Sequence, residues 1–249
     1  MRLFLHELRN QQRLFWRSRE LAFFTFMLPL ILYVMLGSVN RDETIEGVRG
    51  SEYLLAGMIG YGAAAIGFGA LAMMLVFRRE DGTLKRLRAT PLPARTYVAA
   101  LLGSILVSFV ITTLILFGIG VVMFDVEVPE RVGSVALLIV LGAAAFAALG
   151  LAGAALVRND NAAVAVLNGL YLPMTFLSGS FFSPEAFPEF LQRVADLLPL
   201  TYYIEVVRAT MLAGEAAWSD PAALAVVAGW GAAGALVAVR RFRWVPLSR

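Results

Sequence analysis

Six stretches of this chain contain no Asp, Glu, Lys or Arg, and each approaches or exceeds the roughly 20 residues that a helix needs to cross a lipid bilayer. They cover residues 21–39, 53–77, 97–124, 133–157, 161–179 and 221–239. Charged residues make up only 16% of the 249 residues and hydrophobic ones 59%. In soluble domains, charged residues make up roughly 25% and apolar residues roughly 45–50%. The pattern predicts an all-α integral membrane protein, and it excludes a water-soluble globule and a disordered chain.

Basic residues are concentrated in one of the two alternating sets of connections between these stretches. Sixteen of the 21 lie in segment 1–20, in the 78–96 connection, at Arg158 or in the tail after residue 239, whereas five lie in the other set. Positively charged segments next to membrane spans remain in the cytoplasm. We therefore expect the 78–96 connection and both termini to be cytoplasmic.

The fifth stretch, 161–179, is the weakest candidate because it contains Asn168 and Pro173. Two termini on one side require an even number of crossings, so this stretch is expected to cross the membrane as well. The other candidate, 183–200, contains four charged residues, which are too costly at the bilayer centre. The first stretch, 21–39, is longer than the apolar part of a typical signal peptide, so we expect it to be a membrane span. The sequence thus predicts six spans.

The N-terminal segment predicts a basic amphipathic helix. Arg2, Arg9, Arg13 and Arg17 are spaced seven, four and four residues apart and therefore share one helical face. The apolar residues that lie mostly away from that face are Phe4, Leu5, Leu8, Phe15 and Trp16. Such a helix lies in the lipid headgroup layer. It serves either as a lipid-bound elbow that sets the topology or as a contact for a cytoplasmic partner.

The 78–96 connection predicts a short helix between two spans. Asp81 or Thr83 can cap its start, and Pro91 ends it, which leaves about two turns over residues 84–90. Leu84 and Leu87 lie on one side, with the basic residues Lys85, Arg86 and Arg88 around them. This shape suits docking in a groove of another protein. The alternative is that the basic residues contact lipid phosphates.

Residues 183–200 predict an amphipathic helix at the outer surface, beginning at Pro184. Its apolar residues recur at helical spacing; these are Phe187, Phe190, Leu191, Val194, Leu197 and Leu198. Its charged residues occupy other positions; these are Glu185, Glu189, Arg193 and Asp196. Phe181 and Phe182 precede it and form either a gate or an aromatic belt at the interface. Farther along, Glu205 and Arg208 are three residues apart and are expected to pair on a helix.

Polar and small residues inside the spans also carry information. Asn168 needs a partner, because an unpaired amide in lipid costs several kcal/mol, so it either ties two helices together or faces a substrate path. Small residues lie near one face of the second span, namely Gly60, Ala64 and Gly67. In the fourth span, Gly150 and Ala154 share one face. Such faces let helices pack closely within the chain, and they also suit dimer formation.

The sequence restricts how this chain could obtain energy. The spans contain no ionisable groups of the kind that ion-coupled carriers use. A phosphate loop needs Gly-Lys-Ser/Thr, but the only lysine, Lys85, lies between Leu84 and Arg86. The only histidine, His6, precedes the first span and cannot reach a buried serine, and cysteine is absent. These facts exclude a rhomboid-like protease, a P-loop ATPase and a thiolate or histidine-cluster metal site.

Two motifs resemble a known family. The run Glu80-x-Gly82-Thr83-x-x-x-Leu87-Arg88-x-Thr90-Pro91-Leu92 resembles the cytoplasmic-loop signature of type-2 ABC exporter permeases, a family of drug, antibiotic-resistance and polysaccharide or lipid exporters. A second set is similar to the family's fifth span, the outer segment after it and the motif that closes it. This set comprises Asn168-Gly169 to Pro173, Phe176-Leu177-Ser178-Gly179, Phe182-Ser183 and Pro199-Leu200-Thr201-Tyr202.

The resemblance implies that residues 1–249 form a single transmembrane permease domain. It implies that the 80–91 loop is a coupling helix that contacts an ABC ATPase subunit. The coupling residues are then Arg79, Glu80, Asp81, Gly82, Thr83, Leu84, Leu87, Arg88 and Pro91. No cofactor is expected on this chain itself, because ATP and Mg would be bound by the ATPase subunit.

The resemblance also implies outer amphipathic or re-entrant helices and an outward substrate path. We expect the path and outer gate to include Asn168, Met174, Phe176, Phe181 and Phe182, and the closing motif to include Pro199, Thr201 and Tyr202. The expected function is export of a hydrophobic or amphipathic molecule across the cell membrane. The expected partners are the ATPase, membrane lipid and a second permease, identical or related. The alternative is a channel or assembly component that does not use ATP.

Overall fold

The computed structural model describes residues 1–157 and 160–245. Arg158 and Arg249, which contribute to the charge asymmetry, lie outside the described residues. The fold is nearly all helical, with 79% of residues in helices. One small hairpin departs from the all-α prediction: strand β1, Thr44–Ile45, pairs antiparallel with β2, Val48–Arg49.

The helices follow one another with short connections. Helices α1, Arg2–Arg17, and α2, Arg19–Val39, precede the hairpin, and α3, Gly50–Gly62, follows it. A π-helical segment, Ala63–Ala70, joins α3 to α4, Leu71–Glu80. The remaining helices are α5 (Thr83–Arg88), α6 (Ala94–Phe124), α7 (Val132–Leu156), α8 (Asp160–Leu177), a 3₁₀ turn (Pro184–Ala186), α9 (Glu189–Ala195), α10 (Pro199–Leu212) and α11 (Pro221–Arg241).

Within the described part of the chain, four helices are long and apolar enough to cross a membrane. They are Gly50–Glu80, which is continuous through the π segment, Ala94–Phe124, Val132–Leu156 and Pro221–Arg241. They coincide with the second, third, fourth and sixth predicted spans. Two shorter apolar helical stretches, Thr25–Val39 and Ala162–Leu177, coincide with the first and fifth. The chain is therefore a multi-pass membrane protein.

The Gly50–Glu80 helix forms the centre of the bundle. Its most apolar window is 72% buried, compared with 28% for Pro221–Arg241 at the periphery. Helix α7 packs most extensively against α11 and the π segment. A side chain added at Gly150 would collide with the carbonyl oxygen of Gly67, so the two backbones touch at this crossing. This contact confirms that the small residues of the second and fourth spans allow close packing within the chain.

The π segment is a feature that the sequence did not predict. Its sequence, Ala-Ala-Ala-Ile-Gly-Phe-Gly-Ala, is apolar and mostly small. The pattern of apolar residues cannot distinguish a π-helix from an α-helix when nearly every position is apolar. A π-helical turn is wider than an α-helical one and is often found at functional sites.

Candidate functional site

The short helix of the 78–96 connection begins at a sharp turn. Gly82 has a φ of 74°, in the left-handed region that favours glycine. The Asp81 carboxylate accepts a hydrogen bond of 2.8 Å from the backbone N–H of Thr83. Helix α5 ends at Arg88, two residues before the predicted end, and the Thr90 hydroxyl donates to the Leu87 carbonyl at 2.7 Å. The local sequence therefore builds a compact turn–helix–turn.

Helix α5 has an inner and an outer face. Leu84 is fully buried and Leu87 is half-buried. The exposed residues of the loop are Asp81, Lys85, Arg86, Arg88, Ala89, Thr90 and Pro91. Its solvent-facing surface is therefore mainly basic, and its leucines hold it against the bundle.

Arg79, at the base of this loop, is directed into the protein. Its side chain is only 1% exposed, and its Nε donates to the Glu80 carboxylate at 2.9 Å. Its Nη1 and Nη2 donate to the carbonyls of Ala154 and Val157 at 2.8 and 2.7 Å. These carbonyls lie at the C-terminal end of α7, where the helix dipole favours a cation. In this structure Arg79, predicted to contact a partner, instead fastens the base of the loop to α7.

The neighbouring Arg78 ties the same base to two other helices. Its Nη1 donates to the side-chain oxygen of Gln11 in α1 at 2.8 Å and to the Tyr97 hydroxyl in α6 at 2.9 Å. The Gln11 amide nitrogen donates to Glu7 at 2.6 Å. Two consecutive arginines therefore join the base of the loop to α1, α6 and α7.

Helix α1 packs along α6. The Gln12 amide nitrogen donates to the hydroxyl and the carbonyl of Ser104 at 2.9 and 3.1 Å. The predicted arginine face, Arg2, Arg9, Arg13 and Arg17, is exposed. Leu5 and Trp16 are also about half exposed, so apolar and basic side chains together cover the free surface of α1.

The outer segment between α8 and α10 contains two short helices, where the sequence predicted a single helix from Pro184. A 3₁₀ turn begins there and ends at Phe187, which has an extended conformation. Helix α9 begins only at Glu189. The cause is Pro188, because the residue before a proline is disfavoured in the α region. Phe190 and Leu197 remain 66% and 69% exposed, as expected for side chains at an interface.

The motif at 199–202 caps α9. Pro199 is the first residue of α10, a position where its missing N–H has no consequence. The Thr201 hydroxyl donates to the Ala195 carbonyl at 2.7 Å, and the Tyr202 hydroxyl donates to the Asp196 carbonyl at 2.8 Å. The last carbonyls of a helix have no partner within it. The motif thus fixes the corner between α9 and α10.

The predicted gate residues separate into two groups. Phe181 is buried, and its ring centroid lies 5.4 Å from that of Tyr61 and 5.0 Å from that of Phe176. Phe182 is 50% exposed. Met174 is half-buried and packs against the core. Phe181 therefore contacts Tyr61 of the central helix, while Phe182 is half exposed at the surface.

Asn168 lines a cavity of about 300 Å³ between α2, the π segment and α8. Tyr61, Tyr171 and Thr25 contribute hydroxyl groups to the same wall. Among the described residues, none forms a hydrogen bond with the side-chain amide of Asn168, so the helix tie that was one of its two predicted roles is not formed within this chain.

Arg208 lies over the Tyr53 ring, with its guanidinium carbon 3.5 Å from the ring centroid, and its Nη2 donates to the Gly179 carbonyl at 2.5 Å. The ion pair expected with Glu205 is not among those formed in the described ranges, 1–157 and 160–245. Burial lowers the pKa of Arg208, and the nearby Tyr53 and Glu46 act in the opposite direction. This arginine joins α10, α3 and the turn after α8.

Comparison with known proteins identifies the family. Residues 2–212 match the model of the family described as ABC-2 type transporter. The chain belongs to the ABC-2 type transporter family. This confirms the resemblance to type-2 ABC permeases, and membership covers every helix from α1 to α10.

Two relatives of this ABC-2 chain support the same assignment. The transport permease YvfS of Bacillus subtilis (strain 168) is 23% identical over 206 residues, which cover 82% of this chain and 83% of YvfS. Nodulation protein J of Neorhizobium galegae is 31% identical over 192 residues, which cover 76% of this chain and 70% of that protein. The ABC-2 chain is therefore a membrane subunit of an ABC transporter, and its family implies pairing with an ABC ATPase subunit.

Several residues of these sites were not predicted from the sequence. Tyr61 and Tyr171 line the cavity beside Asn168, and Arg78 with Gln11 supports the base of the loop. A tyrosine inside a charge-free span was a usable signal, because its hydroxyl needs a partner. No local pattern could have revealed that Arg78 and Gln11, 67 positions apart, would meet.

Proposed function

We propose that this chain is the permease subunit of an ABC exporter, with six spans and both termini in the cytoplasm. Two copies, or this chain and a related permease, form the membrane half of the transporter in the cell membrane. Two ATPase subunits bind ATP and Mg and contact the α5 loops. Their closure moves the two permeases relative to each other, and a hydrophobic or amphipathic substrate passes outward.

The observation that carries this proposal is the construction of the α5 loop. The loop presents a basic surface to solvent and is fixed at its base by Arg79. Because the Arg79 guanidinium binds carbonyls at the end of α7, a force on α5 displaces α7 as well. Helix α7 in turn packs along the central π segment and α11. The coupling residues of the proposal that face solvent are Asp81, Arg88 and Pro91, whereas Arg79 and Leu84 support them from within.

The proposed path runs along the cavity beside Asn168 towards the outer aromatic residues. Its wall is mostly apolar, with Asn168, Tyr61, Tyr171 and Thr25 as the polar positions. Apolar walls with a few polar groups suit an amphipathic molecule. In this proposal the path continues past Met174, Phe176 and Phe181 and ends at Phe182, which is half exposed.

The first test is co-purification. The tagged chain, extracted from native membranes in mild detergent, should bring with it a protein that contains a Walker A motif. If no ATPase accompanies it, the proposal fails and a channel or assembly component becomes the better explanation.

The second test is the variant Glu80→Gln in the complex reconstituted into vesicles. It removes the ion pair with Arg79 and should leave ATP hydrolysis poorly coupled to transport. The matched control is Glu189→Gln, because Glu189 also pairs with an arginine, Arg193, but lies on α9 at the outer segment. Equal coupling in Glu80→Gln and the native protein would contradict the assignment of the loop.

The third test concerns topology, and it benefits from the absence of native cysteine. In intact cells, the variants His6→Cys, Arg88→Cys and Arg243→Cys should be protected from a membrane-impermeant maleimide. Arg193→Cys should react. Labelling of the residue at position 6 or 243 from outside would contradict the six-span arrangement with cytoplasmic termini.

A further inference from the structure

A second cavity, of about 270 Å³, lies where the elbow between α1 and α2 meets α4 and α6. One part of its wall is apolar, formed by Ile66, Leu71, Met74, Leu101 and Ile105. Another part is polar, with Arg78, Gln11 and Ser104. The cavity therefore has one apolar and one polar side, which match the two parts of an amphiphilic molecule. It is a different cavity from the one that Asn168 lines.

Arg78 provides the only guanidinium in this wall. Both hydrogen bonds that its side chain makes come from Nη1, and both acceptors, Gln11 and the Tyr97 hydroxyl, are uncharged. Within residues 1–157 and 160–245, no carboxylate lies within 4.0 Å of it, whereas Arg79 next to it has Glu80. A half-buried cation without a counter-charge is unfavourable unless an anion joins it.

Glu7 does not supply the missing negative charge to Arg78, because the side-chain amide of Gln11 lies between them. Its carboxylate accepts from the Gln11 nitrogen at 2.6 Å, which directs the Gln11 oxygen towards Arg78. Gln11 thus separates the carboxylate from the guanidinium. The Nε and Nη2 groups of Arg78 remain without an acceptor in the described ranges and can donate to a phosphate.

We propose that this cavity binds one anionic phospholipid, with its phosphate at Arg78 and part of an acyl chain along Ile66, Met74 and Ile105. The site lies at the end of the bundle that also carries the exposed arginines of α1, where the local charge favours an anionic headgroup. The apolar wall distinguishes a lipid from a free phosphate. The inference rests on the proposed function only for the side of the membrane, the cytoplasmic leaflet.

The bound phospholipid joins α1 to α4 and α6. Gln11 and Arg78 contact each other directly, but Leu14 and Phe15 of α1 face the apolar part of the cavity without filling it. An acyl chain there completes the packing between the elbow and the bundle. The lipid would therefore stabilise α1 in the position seen here.

Native mass spectrometry of the complete purified chain tests the proposal. The chain is exchanged into detergent containing either phosphatidylglycerol or phosphatidylcholine of the same acyl composition. We expect one tightly retained phosphatidylglycerol per chain, with retention about tenfold stronger than for phosphatidylcholine, as expected for one charge-assisted hydrogen-bonding site. Equal retention of the two lipids would overturn the proposal.

Two variants and a matched control locate the site. Arg78→Gln should abolish the preference for phosphatidylglycerol, and Ile105→Trp, which fills the apolar part and leaves Arg78 intact, should reduce retention of the lipid itself. Arg95→Gln, an exposed arginine at the start of α6, should behave like the native chain. Gel filtration and thermal unfolding identify folded variants. Native-like lipid retention in both Arg78→Gln and Ile105→Trp would contradict the assignment.

A competition experiment separates the possible anions. Inorganic phosphate and glycerol 3-phosphate should not displace the lipid at millimolar concentrations, because they cannot use the apolar wall. Displacement by inorganic phosphate would show a free-anion site and overturn the lipid assignment. None of these measurements needs the ATPase, so failure to find an ATPase would refute the proposed function and leave this inference standing.

Discussion

Arg79 and Arg208 both bring a guanidinium into the protein, at opposite ends of the central Gly50–Glu80 helix. Arg79 has a carboxylate and two helix-end carbonyls as partners, and each of its nitrogens makes a hydrogen bond. Arg208 has an aromatic face and one carbonyl, and its Nε has no partner in the described part of the chain. One end is thus fully bonded, and the other is only partly bonded.

The surroundings of the two arginines differ in the same way. Near Arg208, the buried hydroxyls of Ser178 and Ser180, which flank Gly179, also lack protein partners among the described residues. Segments with few satisfied internal hydrogen bonds cost less to rearrange. The comparison indicates a rigid joint at the loop end of the helix and an end that rearranges more easily near the outer segment. In the proposed exporter, force would enter at the loop end of this helix and the path would open at the other end.

The largest expected effect on stability comes from replacing each of the two arginines by alanine in separate variants. Arg79→Ala removes the guanidinium that binds the Glu80 carboxylate and two backbone carbonyls, and breaking such a buried pair costs about 3–5 kcal/mol. Arg208→Ala removes a cation–π contact and one hydrogen bond, which together are worth about 1–3 kcal/mol. Thermal unfolding of the purified variants in detergent should therefore show the larger loss for Arg79→Ala.

Arg79→Lys sharpens this comparison. It keeps the charge, but a single ammonium cannot reproduce the fork that reaches two carbonyls and a carboxylate, so we expect an intermediate loss. If Arg208→Ala were as destabilising as Arg79→Ala, the distinction between a rigid and a loosely bonded end would be wrong.

Substitutions at two glycines distinguish the effect of backbone strain on stability from an effect on ATP-coupled transport. Gly82 and Gly47 have φ values of 74° and 81°, and a side chain at either has room. Replacing either by alanine should cost about 1–2 kcal/mol for the left-handed backbone. Only Gly82→Ala should reduce ATP-coupled transport, because Gly47 lies in the hairpin. A similar loss of coupling in Gly47→Ala would show that general destabilisation, and not the loop, is responsible.

A smaller effect is expected at the corner between α9 and α10. Thr201→Val removes one of the two hydrogen bonds that the buried Ala195 carbonyl accepts, the other coming from the Leu198 N–H, and should cost about 1 kcal/mol. Tyr202→Phe removes an exposed hydrogen bond to Asp196, so its cost should be smaller, because water replaces the donor. Denaturation midpoints of the two variants compare the losses, and a larger cost for Tyr202→Phe would contradict this description of the corner.

The smallest effect is a pH dependence at Glu205. Burial raises the pKa of Glu205, Arg208 acts in the opposite direction, and the carboxylates of Asp220, Asp196 and Glu46 raise it further. A raised pKa means that the folded state favours the protonated form, so ionisation destabilises the fold as pH rises. Glu205→Gln should therefore slightly raise the melting temperature at neutral pH and change it little below the unfolded-state pKa. A native-like melting temperature at neutral pH would contradict this account.

The sequence predicted the positions of the helices well because charge-free stretches and prolines act locally. The long helices at 94–124 and 221–241 begin or end within three residues of the predicted spans. The outer segment was less predictable, because Phe187-Pro188 interrupts an otherwise helical pattern. The π segment could not be predicted either, since its residues are apolar whether the turn is α or π.

The contacts of the candidate sites depended on long-range packing. The loop motif correctly located a short helix, but its residue pattern could not show that Arg79 points towards α7, 75 positions away in sequence. Glu205 and Arg208 show the same limit, because helical spacing allowed a pair, whereas packing placed Arg208 on Tyr53. Local patterns find elements and candidate residues, and the tertiary fold decides which way each side chain points.

Site-specific cross-linking tests the central claim, that the α5 loop is the surface that contacts the ATPase. The chain has no cysteine, so Arg88→Cys introduces a single reactive site on the exposed face of α5, and Arg193→Cys provides one on α9. With a thiol-reactive photo-cross-linker in the complex purified with its ATPase, we predict cross-links to the ATPase from position 88 and none from position 193. A complex that contains the ATPase but gives no cross-link from position 88, or an equal yield from position 193, would contradict the account.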